Sequence, residues 1–149
     1  MTKLSKNAQV PQCDKTAVMQ SVIASELRIG NLVFGNYENE EDETIKSTVC
    51  EILGYDPFNN YYWVENKQGI EEFCNFQPIQ ITEKRLLEFG FKKELDSFYR
   101  FNKSTMVEIC FYDNGILVCN QSVCLSEIKF IHQLQNLFHS LTGRELTVA

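Results

Sequence analysis

Cys119, Cys124, His132 and His139 stand in the order C-x4-C-x7-H-x6-H, a set of side chains that can hold zinc. Structural zinc sites use tighter pairs, C-x2–4-C and H-x3–5-H, and Cys119 falls on a hairpin strand that turns it sideways. The reading is therefore a buried strand thiol and two imidazoles on a helix surface, with no metal and no cofactor. Cysteine with histidine is also the only pairing available for nucleophilic catalysis. No cysteine stands at an expected helix N-terminus or in a glycine-bracketed turn, where a thiolate would be stabilised. Cys50, Cys74, Cys110 and Cys119 all fall inside expected strands, as small apolar side chains do. The chain has no phosphate-binding glycine loop, no G-x-S-x-G and no H-E-x-x-H. This census points to a protein that is not an enzyme, with no catalytic residues to name.

Chemistry of recognition is better represented. The stretch Phe130 to Gly143, FIHQLQNLFHSLTG, carries no formal charge in an otherwise acidic chain. At 100° per residue, Phe130, Ile131, Leu134, Leu137, Phe138 and Leu141 share one half of a helix. The other half holds His132, Gln133, Asn136, His139 and Ser140. A solvent-facing side normally carries Lys, Glu or Arg, so His132, Asn136 and His139 are expected to lie against a partner, a second copy or the chain's own leader.

Two further candidates are an acidic run and an aromatic cluster. Asn36–Glu43 reads as an acidic loop, with Glu38, Glu40, Glu41, Asp42 and Glu43 suited to a basic partner surface. It lacks the glycine and the spaced twelve-residue pattern of a calcium loop. Phe58, Tyr61, Tyr62 and Trp63 are dense at a turn leading into a strand. Alternation places Tyr61 and Trp63 on one side and Tyr62 on the other, so part of the cluster is core and Trp63 is the expected interface anchor. Only Lys67 is close in sequence, so base stacking lacks its electrostatic support.

Composition sets the frame. The chain has 149 residues and a net charge of −6, and hydrophobic residues make up 44%. That is one domain's worth, or two small subdomains sharing a core. The first 25 residues are basic by +2, and the remainder holds 11 basic against 19 acidic groups. Such a body repels phosphate backbones, so direct nucleic-acid binding is disfavoured and a basic protein or nucleoprotein surface is the suitable partner. No apolar run approaches a membrane span, and Ala17–Ala24 is too short for a secretory segment. The expected location is the cytoplasm, with the six cysteines as free thiols.

The elements that must carry these side chains read as α+β. Residues 1–25 form a leader, with Asp14 capping a short helix from Lys15 to about Ser25. Residues 26–77 form a small curled antiparallel sheet or SH3-like barrel, with strands at Leu27–Phe34, Thr48–Tyr55, Tyr61–Glu65 and Ile70–Phe76. Residues 78–149 form a helix–three-strand meander–helix layer. In it, Thr82 caps a helix with Leu86, Leu87 and Phe89 inward, stopped at Gly90. Strands follow at Phe98–Phe101, Met106–Tyr112 and Ile116–Gln121, and Ser126 caps the last helix, which Gly143 stops. Asn114-Gly115 as a two-residue hairpin loop sets Cys110 opposite Cys119.

Three stretches, ELRIGNLV (Glu26–Val33), FQPIQITEKRLLEFGF (Phe76–Phe91) and IKFIHQLQNLFHSLTGREL (Ile128–Leu146), together resemble a group of small phage- and prophage-encoded proteins of Bacteroidetes bacteria. The resemblance is discontinuous over residues 26–146 and implies a mobile-element origin, without an activity, cofactor or catalytic residue to carry over. The leader and the acidic Asn36–Glu43 loop depart from the pattern. The expected function is a non-enzymatic accessory protein that binds a host macromolecule, in its sharpest form an inhibitor of a bacterial defence nuclease of the anti-CRISPR type. The alternatives are a small nucleic-acid-associated accessory protein and an enzyme of unrecognised type.

Overall fold

The structure, a computed structural model, describes residues 26–39, 44–59, 61–73, 76–96, 98–101, 107–112, 115–120 and 123–149. The leader helix expected at Lys15–Ser25 lies outside them. The first strands are β1 (Leu32–Asn39), β2 (Thr44–Asp56), β3 (Tyr61–Asn66), β4 (Gly69–Phe73) and β5 (Phe76–Gln77). They form one antiparallel sheet in the order β4-β3-β2-β1-β5. It has two edges and is not a closed barrel. A register shift between Ile52 and Gly54 bends β2.

Several boundaries differ from the sequence reading: Thr48–Tyr55 lengthens to Thr44–Asp56, and the expected Ile70–Phe76 is represented by β4 and β5. Leu27–Asn31 is not strand but a turn into it, with Gly30 at φ 87° and Asn31 fully buried. Gly30 supplies the left-handed backbone that lets its N–H reach the Ile52 carbonyl at 2.8 Å. At the other end β1 runs on to Asn39, opposite Thr44, so Asn36–Asn39 belongs to a strand rather than a loop.

After α1 (Glu83–Glu88) the chain enters a second antiparallel sheet. Its strands are β6 (Lys92–Leu95), β7 (Phe98–Arg100), β8 (Val107–Tyr112), β9 (Gly115–Asn120) and β10 (Val123–Ile128), and α2 (Ile131–Thr142) follows. Five strands thus replace the expected three-strand meander. The two that sequence reading missed, β6 and β10, are its edges, and their residues are exposed except Ile128. Without a buried face they show no alternation. Ser126 consequently lies in β10 and caps nothing; Phe130 occupies the N-cap of α2, while Gln133 Oε1 accepts from the backbone N–H of Lys129 and Phe130. Thr82 does cap α1, and Gly90 (φ 83°) with Phe91 closes it, although Leu87 faces outward.

The β8–β9 register pairs Tyr112 with Gly115, so Gly115 is a strand residue. A Cβ on Gly115 would lie 2.6 Å from Glu127 Oε1 and 3.0 Å from Tyr112 Oη, so those two side-chain ends would have to move aside. The expected Cys110–Cys119 pairing therefore shifts to Cys110–Leu117 and Glu108–Cys119, with all four still on one face. On the other face Val107, Ile109 and Val118 join Ile131, Leu134 and Phe138 of α2, Leu86, Phe89 and Tyr99 in the main core. A smaller core of Val33, Cys50, Ile52, Tyr62, Val64 and Phe76 lies inside the first sheet.

Candidate functional site

The uncharged side of α2 is occupied by its own chain. Gln135 Oε1 accepts from the Leu32 N–H at 2.8 Å, while Nε2 donates to the Gly30 carbonyl at 2.9 Å and the Leu146 carbonyl at 3.2 Å. Asn136 donates to the Glu26 carbonyl at 2.8 Å and accepts from Arg28 Nε and Asn31 Nδ2. Arg28 then grips Glu145 through two bonds of 2.6 and 3.0 Å. An amide side chain carries donors and an acceptor, so it can satisfy the Gly30 carbonyl and Leu32 N–H, groups of a segment that also bonds to β2. This explains the missing charge on the helix.

Among the described residues His132 and Asn136 meet none of the expected covers, a partner, a second copy or the leader; their partners come from Glu26–Asn31, just after the leader. His132 is buried, with Nε2 3.2 Å from Glu26 Oε2 and Nδ1 without a partner among the described residues. Burial pushes its pKa down, against the smaller upward pull of Glu26. His139 is more open and lies 3.5 Å from Glu145. Sequence reading singled out Asn136 but not Arg28, Asn31, Gln135 or Glu145, whose roles depend on contacts distant in the chain.

Trp63 lies on a different surface. Along β3 the residues alternate: Tyr62 and Val64 are buried, whereas Trp63 and Glu65 are exposed and Tyr61 is half-buried. The cross-strand register sets Glu51 opposite Glu65, Gly54 opposite Trp63 and Asp56 opposite Tyr61 on one side of β3. On its other side Glu72 stands opposite Trp63 and Ile70 opposite Glu65. The same sheet face continues towards β1 as Leu32, Phe34 and Val49, which pack against the main core. One part of this face is therefore covered by the second half of the chain, and among the described residues nothing covers the part around Trp63.

The uncovered part combines rings and carboxylates. Tyr61 and Trp63 meet edge to face at 5.3 Å, and Trp63 retains 40% of its exposure. Gly54 leaves the space beside the indole, whose Cδ1 would be 3.8 Å from a Cβ there. The Tyr61 phenol is pushed up by desolvation and then by Glu72 and Asp56, the electrostatic mark of a negative surface. Asp56 is held down by hydrogen bonds from the Asn59 side chain and the Phe58 N–H. Among the described residues, Glu51, Asp56, Glu65 and Glu72 make no ion pair. Such a face attracts cations, above all a guanidinium or ammonium that can lie on an indole while meeting carboxylates.

Of the acidic run, Glu40, Glu41, Asp42 and Glu43 lie outside the described residues, and Glu38 is placed in β1 opposite Ile45. Glu51, Glu65 and Glu72 were not anticipated. Their signal was the alternation Tyr61-Trp63-Glu65, which needed the pairing register to become a surface. No group of three or more His, Cys, Asp or Glu among the described residues could hold a metal ion. No described helix is long and apolar enough to cross a membrane. The chain matches no family model, no curated protein and no solved structure.

Proposed function

We propose that this chain is a non-catalytic binding protein whose uncovered β2–β3–β4 face docks on a basic surface of a host macromolecule. The observation that carries the reading is Trp63 exposed beside Tyr61 and among Glu51, Glu65 and Glu72. An aromatic anchor ringed by like charge gains little from packing within its own chain, but it suits a partner bearing arginine or lysine. The same carboxylates repel phosphate, which weighs against a nucleic-acid accessory role. With the resemblance to phage and prophage proteins, the partner is a host protein or nucleoprotein. An inhibitor docking on the basic groove of a defence nuclease is the sharpest form of the reading, with the host cytoplasm as its location.

The test is a photo-crosslinking amino acid placed at position 63 of the full chain in host cells, with position 92 on the second sheet as control. The reading expects a basic protein joined from position 63 and not from position 92, and lost when Glu51, Glu65 and Glu72 are changed to Lys. Equal capture from both positions, or capture that survives the charge reversal, contradicts it.

A further inference from the structure

Cys119 and Cys124 are cross-strand neighbours in the β9–β10 register, and their Sγ atoms are 3.2 Å apart. Directly opposed residues in antiparallel strands have α-carbons about 4.5–5.5 Å apart, within the roughly 4.4–6.8 Å that disulfides span. Cys119 is buried, whereas Cys124 is exposed on β10, an edge strand whose residues Val123–Glu127 are all exposed. Cys110 lies on the same face, diagonal to Cys119 across β8 and β9. The geometry thus offers one accessible thiol, one sheltered thiol in contact with it, and a third close behind.

We infer that Cys119 and Cys124 are a reversible redox modification site, closed by a low-molecular-weight disulfide into a bond that staples the β10 edge to β9. In the first step the Cys124 thiolate attacks one sulfur of the small disulfide; its S–S bond breaks and one small thiolate leaves. In the second, Cys119 gives its proton to solvent and attacks Cys124 Sγ, expelling the second small thiolate. Two protein thiols are oxidised to one disulfide, and one small disulfide is reduced to two thiols. Burial, then the neighbouring Cys124, pushes Cys119 up to about 12, so the second step is the slow one and accelerates as pH rises. Closing this short hairpin holds in place an edge strand that otherwise has a neighbour on one side only.

Reduced full-length protein is treated with glutathione disulfide and followed by intact mass and by amide exchange. The wild type and Cys110→Ser are expected to end with the loss of two hydrogens and slower exchange in Val123–Ile128. Cys124→Ser, altered at an exposed position, is expected to fold and not to close; Cys119→Ser is expected to stop at the glutathione adduct. The inference is overturned if Cys110→Ser fails to close, if Cys119→Ser or Cys124→Ser closes as the wild type does, or if the wild type stops at the adduct or does not react.

Discussion

Glu51 and Glu65 face each other across β2 and β3 as a directly opposed pair of carboxylates. Like charges in that position weaken a sheet, and neither residue has an ion-pair partner among the described residues. A basic partner would relieve the repulsion on docking, so folding stability and binding should respond in opposite directions to one substitution. Glu65→Lys is expected to raise unfolding stability by about 0.2–1 kcal/mol, the range for cross-strand pairs, while weakening association with a basic surface. Denaturant unfolding and binding on the same variant check both; a variant less stable than wild type would show that the pair is not repulsive.

Gln135 joins three backbone groups from two segments distant in sequence, Gly30 and Leu32 on one side and Leu146 on the other. Gln135→Ala strands those groups, and each unmade bond at a buried site costs roughly 1–3 kcal/mol. Water reaches the part-buried ones, so the expected total is about 3 kcal/mol. Gln135→Glu keeps an acceptor for Leu32 but turns a carboxylate towards two carbonyl oxygens, and should be no better. A midpoint of denaturant unfolding unchanged in both variants would remove this side chain from the account of the junction.

Buried His132 gives the fold an acid-sensitive point. Its pKa is lowered in the folded protein, chiefly by burial, relative to the ordinary value near 6.5. Above about pH 6.5 both folded and unfolded forms are neutral, and the stability is at its plateau. As pH falls below that, the unfolded chain takes up the proton more readily and stability declines, until the folded value is reached. Glu145, held low by Arg28, adds a separate loss deeper in the acid range. Unfolding measured from about pH 7 to about pH 5 should therefore slope downward in the wild type, and less so in His132→Gln. Identical slopes would assign the loss to other groups.

The sequence made local chemistry legible and left relations between distant segments hidden. Thr82, Gly90 and Gly143 act on their own helix ends, so their roles could be read directly. The absence of charge on α2 was read as a covered face; what bonds to His132, Gln135 and Asn136 is Glu26–Leu32, more than a hundred residues away in the chain, while His139 and Ser140 stay more open. Gly115 was read as a turn residue because Asn-Gly dipeptides favour turns; the pairing register makes it the strand residue opposite Tyr112, beside Glu127 of another strand. Glu26–Val33, Phe76–Phe91 and Ile128–Leu146 meet around α2: Gln135 bonds Gly30 and Leu32, Ile131 N–H donates to the Ile79 carbonyl, and Ile81 N–H donates to that of Lys129. They build the junction, while the proposed docking face lies in β2–β4, outside those stretches.

Trp63 is the single tryptophan of the chain, so its fluorescence reports on the proposed docking face directly. The most direct measurement titrates the full chain with a short oligo-arginine peptide, and with oligo-glutamate of equal length, while following Trp63 emission at low and high salt. The account predicts a saturable change with oligo-arginine that weakens as salt screens the carboxylates. It should be absent with oligo-glutamate and lost in the Glu51→Gln, Glu65→Gln, Glu72→Gln triple variant. Emission that ignores oligo-arginine, or a response the neutralised variant retains in full, would contradict the claim that this face receives a basic partner.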